Sequence, residues 1–224
     1  MTQSNGTKRR IEEKKIRIYE AALSLMEDRY DLAGIKVVDI AKKADVGKGT
    51  IYEYFDHKEQ VISESIFYML GEWIGRMEEI IEGAETFETG FIQVLEDLFV
   101  MMEKKHQIIF AFLTLQDFPK SSLEELEKIM IERKKEMQRL TMHLYKKIIA
   151  RSLKEGVIHK NPDLYDGYFA VNSAMMYVLI YEEQRACGED LLNVEGFEKE
   201  EVVKKAYRVY LKLLADNKGI HGRG

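Results

Sequence analysis

The chain has 224 residues, 46% hydrophobic and 33% charged, with a net charge of −5, enough for one large domain or two small ones with cores of their own. One cysteine, Cys187, excludes a disulfide framework and a cysteine-rich zinc site and fits a reducing cytoplasm, and two Pro and fifteen Gly are too few for a long disordered linker. No apolar run approaches the roughly 20 residues of a membrane helix, and the N-terminus MTQSNGTKRR lacks the apolar segment of a secretion signal, so a cytoplasmic protein is expected.

The acidic balance at first argues against nucleic acid, but it is unevenly placed. Residues 1–60 hold 12 Lys and Arg against 11 Asp and Glu, a balance of +1, and the remaining 22 against 28 give −6. Lys8, Arg9, Arg10, Lys14 and Lys15 cluster at the leading end, a modest electrostatic footprint that suits a small contact patch. A helix is predicted from Lys8 to Arg29, with Ile11, Ile18, Ala22, Leu25 and Met26 as its buried stripe.

The stretch VVDIAKKADVGKGTIYEYFDHK, Val37 to Lys58, reads as two short helices joined by a tight turn. Val37, Ile40, Ala41 and Ala44 recur at three- and four-residue spacing and make one small apolar face, against which a second helix can pack closely. Asp45 stands where the chain must reverse and tolerates a left-handed conformation, and Val46 fills the corner. Ile51 and Phe55 then point inward, leaving Lys48, Gly49, Thr50, Tyr52 and Tyr54 to the outer and leading surfaces. These residue types suit a major groove: a Lys for guanine or phosphate, a Gly for close backbone approach, hydroxyls for phosphates and a ring edge for a thymine methyl. Asp56 with Glu59 is a capping-box spacing for the next helix, and Lys58 lies in a first turn whose dipole disfavours a cation unless an anion arrives.

On these residues, DIAKKADVGKGTIYEYFDHKEQV resembles the helix-turn-helix of the TetR/AcrR family of bacterial one-component repressors, and IYEAALSLMEDRYD (Ile18 to Asp31) resembles that family's first helix. The likeness covers about the first sixty residues. Asp45 departs from the family's usual Gly, Gly47 from its capping Ser or Thr, and Lys36, Val37 and Val38 from its common Thr, Ser or Arg; Gly still serves as a cap and Asp still takes the turn. The resemblance implies a double-stranded DNA operator read by Lys36, Val38, Lys48, Gly49, Thr50, Tyr52, Tyr54 and Lys58, a homodimer, and a small-molecule effector site in the C-terminal part. It also permits the basic N-terminus to run along DNA, although a solvated, frayed terminus is the simpler account of those charges.

From His57 an uninterrupted helical pattern runs to Glu82 and ends at Gly83, with Ile62, Ile66, Met69, Trp73, Met77 and Ile80 as its apolar positions. Further helices are predicted over 87–105 and 107–115. After a break at Asp117, Phe118 and Pro119, Ser121 and Ser122 cap a helix that runs to Glu155 and stops at Gly156. Asn161 and Pro162 open one that reaches Cys187, and the last spans Phe197 to Asn217. The expected fold is all-α, with nine or ten helices: a helix-turn-helix DNA-binding domain over 1–55 and a helical effector-binding and dimerisation domain over 56–224.

Nine of the eleven Met lie between Met69 and Met176 among many aromatics, a soft interior suited to an apolar or aromatic effector. Trp73, Met77, Met101, Phe110, Met142, Tyr145, Phe169, Asn172 and Met176 are the candidate lining. Apolar residues on more than one face of the last two helices leave one face for a partner; Val171, Ala174, Met175, Val178, Val203, Tyr207, Tyr210 and Leu214 are the candidate seam. His57, His106, His143, His159 and His221 have no metal-ligand spacing, and no phosphate loop, nucleophile elbow or HExxH occurs. No enzyme, cofactor or metal is therefore expected. The other reading of the chain is a helical dimer that binds a small molecule or protein without reading DNA.

Overall fold

A computed structural model describes residues 2–27, 34–114, 123–187 and 196–215, with side chains over 9–27, 34–103, 131–185 and 196–215. Among the described residues the fold is all-helical, with eight helices: α1 (Thr2–Glu27), α2 (Val37–Lys43), α3 (Lys48–Tyr52), α4 (Lys58–Gly83), α5 (Phe87–Thr114), α6 (Leu123–Lys154), α7 (Leu164–Cys187) and α8 (Lys199–Leu214). The count falls below nine because the expected helices over 87–105 and 107–115 are one, α5: Lys104, Lys105 and His106 include no Gly or Pro to break the ladder. The expected break at 117–119 and the caps Ser121 and Ser122 lie outside the described residues. At the start of α7 the cap is Asp163, whose Oδ1 accepts the backbone N–H of Asp166 at 2.8 Å; Asn161 and Pro162 precede the helix instead of opening it.

The chain forms two compact units, one of residues 1–72 and 105–138 and the other of 73–104 and 139–224. In the first, Ile18, Ala22 and Met26 of α1, Ile40 and Ala41 of α2, Ile51 and Phe55 at α3, and Ile62 and Ile66 of α4 make one core. Each large side chain there contributes about 1.5–3 kcal/mol by leaving water. The small face of α2 lets its neighbours approach closely. Ile11 is 36% exposed, two turns before α1 meets the core, and so leaves the predicted stripe. Six consecutive residues of α4, Val61 to Ile66, are buried, so that stretch is enclosed on every side; Ser63 and Ser65 satisfy their hydroxyls on the helix's own carbonyls.

In the second unit the core is aromatic. Phe91 lies 4.7 Å from Tyr210 and 5.9 Å from Tyr207 between ring centroids, and Phe87 lies 5.6 Å from Tyr210. The Tyr210 hydroxyl donates to Ser152 Oγ at 2.9 Å, which satisfies the one polar atom that burial would otherwise strand. The end of α6 clamps the corner between α4 and α5: Arg151 donates to Ala84 O and to Glu155, and Glu155 accepts the N–H of Phe87. Gly156, at φ 71°, then ends α6 in the left-handed region.

Candidate nucleic-acid interface

The turn between α2 and α3 has the geometry that its residues predict. Asp45 adopts φ 52°, Asp45 N–H bonds to Lys42 O, and Val46 N–H bonds to Ala41 O. This is the paired bond pattern of a Schellman cap with Asp in the place usually taken by Gly. Val46 packs on the core below it. Gly47 enters α3 in extended conformation without a side-chain cap, so the N–H groups of the first turn of α3 have no side-chain partner there.

Ile51 and Phe55 are buried and pin α3 to the core. Opposite them Lys48, Gly49 and Tyr52 are exposed and Thr50 is half-buried. Lys48 Nζ stands 5.7 Å from the centre of the Tyr52 ring, so the cation and the ring hold each other in place before any ligand arrives. A Cβ built on Gly49 meets nothing within 4 Å, and its backbone is ordinary helix. Nothing inside the fold requires glycine there. Tyr54 is half-buried, its ring edge-on to Phe55, so it belongs partly to the core and less to the outer face than its spacing predicts. Val38 is 54% exposed and Lys36 is exposed at the entry of α2. Lys58 is half-buried in the first turn of α4. The box at the start of α4 closes through Gln60, not Glu59: Gln60 Oε1 accepts the N–H of Asp56 at 2.8 Å.

The candidate effector residues separate into several environments. Met77 and Tyr145 are buried in the core of the second unit, and Trp73, Met101, Met142 and Asn172 are half-buried. Trp73 is held by its indole N–H on Asp97 at 3.1 Å. Asn172 accepts from Tyr145 Oη at 3.0 Å and donates to Tyr168 O at 2.7 Å, so both ends of its amide are engaged. Phe169 and Met176 lie on the exposed side of α7, and the Phe110 side chain lies outside the described residues.

The candidate seam is also redistributed. Val171, Ala174, Met175, Val178, Val203, Tyr207 and Tyr210 are buried within the subunit, where α7 packs along α8, and Leu214 is half-buried. Val178 has no exposed surface, whereas Tyr165 is 73% exposed and Phe169, Met176 and Ile180 are exposed with it. The double-faced pattern of α7 is real, but the residues assigned outward are the inner set. An amphipathic pattern locates two stripes, not which one the same chain covers.

Sequence comparison shows what this architecture is similar to. Residues 18–64 match the bacterial regulatory proteins of the tetR family. The fatty acid metabolism regulator protein of Bacillus subtilis (strain 168) is 31% identical over 152 residues, which is 67% of this chain and 74% of that relative. An uncharacterised HTH-type transcriptional regulator of the same organism, YhgD, is 29% identical over 151 residues, 66% and 73% of the two chains. Among solved structures, the transcriptional regulator FadR from Bacillus subtilis in complex with stearoyl-CoA superposes with a TM-score of 0.55 at 23% identity, over 92% of this chain and 98% of that one. A tetR-family regulator from Mesorhizobium loti MAFF303099 does so with a TM-score of 0.63 at 20% identity, over 92% and 96%. FadR from Thermus thermophilus in complex with lauroyl-CoA gives 0.55 at 16%, over 94% and 100%. A helix-turn-helix with an exposed outer face, together with a relative matched at this identity over this span, leads to one conclusion: the chain belongs to the tetR family of bacterial regulatory proteins and is a DNA-binding transcriptional regulator.

Proposed function

We propose that this regulator represses transcription as a cytoplasmic homodimer on a palindromic operator and leaves DNA when a long-chain acyl-CoA binds. The DNA-reading part rests on Lys48, Gly49 and Tyr52 standing exposed on a helix that is pinned from its other side by buried Ile51 and, just beyond its end, by buried Phe55. The effector class rests on the 31% identical fatty acid metabolism regulator and on two FadR structures of the same fold that hold stearoyl-CoA and lauroyl-CoA. A thioester with a long tail is apolar over most of its length and anionic at its headgroup; the Met-rich helices of the second unit suit the tail. The outer stripe of α7, Tyr165, Phe169, Met176 and Ile180, is the surface offered to the second subunit, because the inner stripe is already covered by α8.

The test uses a duplex selected by the protein from a random pool. Stearoyl-CoA should release it at low micromolar concentration, and neither free CoA nor stearate should do so at tenfold more. Release by none of the three, with DNA binding intact, would leave the DNA reading standing and remove the effector reading.

A further inference from the structure

Within the first unit a chain of hydrogen bonds runs from α6 to the corner that follows the reading helix. Arg133 of α6 donates Nη2 to Glu64 Oε2 at 2.9 Å, and Tyr19 of α1 donates its hydroxyl to the same oxygen at 3.0 Å. Gln60 Nε2 donates to Glu64 Oε1 at 2.9 Å, and Gln60 Oε1 accepts the backbone N–H of Asp56 at 2.8 Å. The second guanidinium nitrogen, Nη1, is held by Glu136 at 2.7 Å. Tyr19 and Glu64 are both buried, and Glu64 sits in the enclosed stretch of α4.

The order of donors and acceptors permits only one arrangement. A carboxylate accepts and cannot donate, so Gln60 must turn its NH2 toward Glu64; its carbonyl oxygen is then the only end left for Asp56, whose N–H can only donate. The guanidinium is the only cation that this carboxylate pairs with among the described residues. Burial, the largest single influence on the Glu64 carboxyl, favours its neutral form, yet the bonds from Gln60, Arg133 and Tyr19 together hold it below the usual carboxylate range. Removing Arg133 leaves a buried charge supported by neutral donors alone. The far end of the chain is not a remote side chain but the backbone next to Phe55, the residue that anchors the end of the reading segment, and Tyr19 touches the same corner with its ring 5.8 Å from that of Phe55.

We propose that Arg133 is a positioning residue for operator reading: through Glu64 and Gln60 it holds the corner between α3 and α4, and so fixes the angle at which Lys48 and Tyr52 are presented to DNA. This rests on α3 being the reading helix. Arg133 lies about seventy-five residues beyond the motif in sequence and acts through α4; its effect is on discrimination, because reading base edges tolerates less misplacement than holding phosphates.

The experiment uses the full chain and a duplex that the wild-type protein selects from a random pool, compared with a random duplex by fluorescence anisotropy well below each variant's melting midpoint. Arg133→Gln and Gln60→Leu should each lower the preference for the selected duplex about tenfold, and the double variant should lose little more than either, since both cut one chain. Arg133→Lys, which keeps the charge and can donate to Glu64 but loses the guanidinium fork, should recover part of the preference. A residue that only stabilises the fold would lower the melting midpoint of all variants and leave the selected-to-random ratio unchanged. An unchanged ratio in folded Arg133→Gln, or in Arg133→Lys and Gln60→Leu where Arg133→Gln does not fold, overturns the proposal, as does full additivity in the double variant. Lys48→Ala is the separate control: if it too keeps full discrimination, the reading helix itself is misassigned.

Discussion

At Gly49 the stability of the fold and the proposed DNA contact should pull in opposite directions. Its backbone is helical and its missing side chain leaves open space, so Gly49→Ala should raise the stability of the free protein by up to about 1 kcal/mol through helix propensity. On the proposed DNA reading the same methyl group would meet the DNA backbone, so operator affinity should fall while the melting midpoint rises, and the two measurements on one variant should move in opposite senses. Lys48→Ala and Tyr52→Ala carry a different expectation. Each should cost about 1–3 kcal/mol on operator and relax base preference, and because the two side chains support each other across 5.7 Å, the double variant should cost less than their sum. Equal losses on operator and random duplex would show that these residues contact phosphate only.

At the scale of the element, α7 carries the clearest contrast. Its inner stripe, Ala170, Val171, Ala174 and Val178, is fully covered, and its outer stripe, Tyr165, Phe169, Met176 and Ile180, is exposed over four turns. The Tyr165 and Phe169 rings already stack at 6.3 Å, which leaves them little side-chain entropy to lose on association. Phe169→Glu should therefore yield a folded monomer by sedimentation at micromolar concentration, with helical content preserved. Val178→Glu should instead unfold the subunit, since an unpaired carboxylate in that position is destabilising by several kcal/mol. A dimer that survives Phe169→Glu and Tyr165→Glu together would place the seam elsewhere.

The whole molecule should be base-sensitive in a predictable window. Burial raises the hydroxyls of Tyr145 and Tyr210 from 10.0 to about 12, and the neighbouring phenols Tyr168 and Tyr207 add to this. Because the folded state holds these protons more tightly than the unfolded state, their contribution is complete below pH 10 and is lost as pH rises toward about 12, by about 2–3 kcal/mol for each group. Alkaline unfolding should thus steepen through that range, and Tyr210→Phe should flatten it while lowering neutral-pH stability by about 1 kcal/mol. The second prediction at this scale is linkage. If stearoyl-CoA weakens operator binding by a given factor, the operator must weaken stearoyl-CoA binding by the same factor, typically five- to 150-fold. Titrating the acyl-CoA into free protein and into the DNA complex checks this directly; equal affinities would mean that the ligand is bound and not sensed.

Local chemistry determined the helix-turn-helix from sequence alone. The spacing of Val37, Ile40, Ala41 and Ala44, the reversal at Asp45 and the inward pair Ile51 and Phe55 are short-range signals, each acting within a turn or two of its own position, and the structure contains all of them. The ends of α4 and α6 at Gly83 and Gly156 were legible for the same reason. Only the tertiary structure decided which stripe of α7 faces inward, that Tyr54 is half-claimed by the core, that Gln60 replaces Glu59 at the start of α4, and that Arg133 reaches Glu64 across 69 positions of sequence. Periodicity specifies that a helix has an apolar face but is silent on what covers it, because that depends on elements distant in the chain, and a hydrogen bond between such elements leaves no periodic trace in either of them.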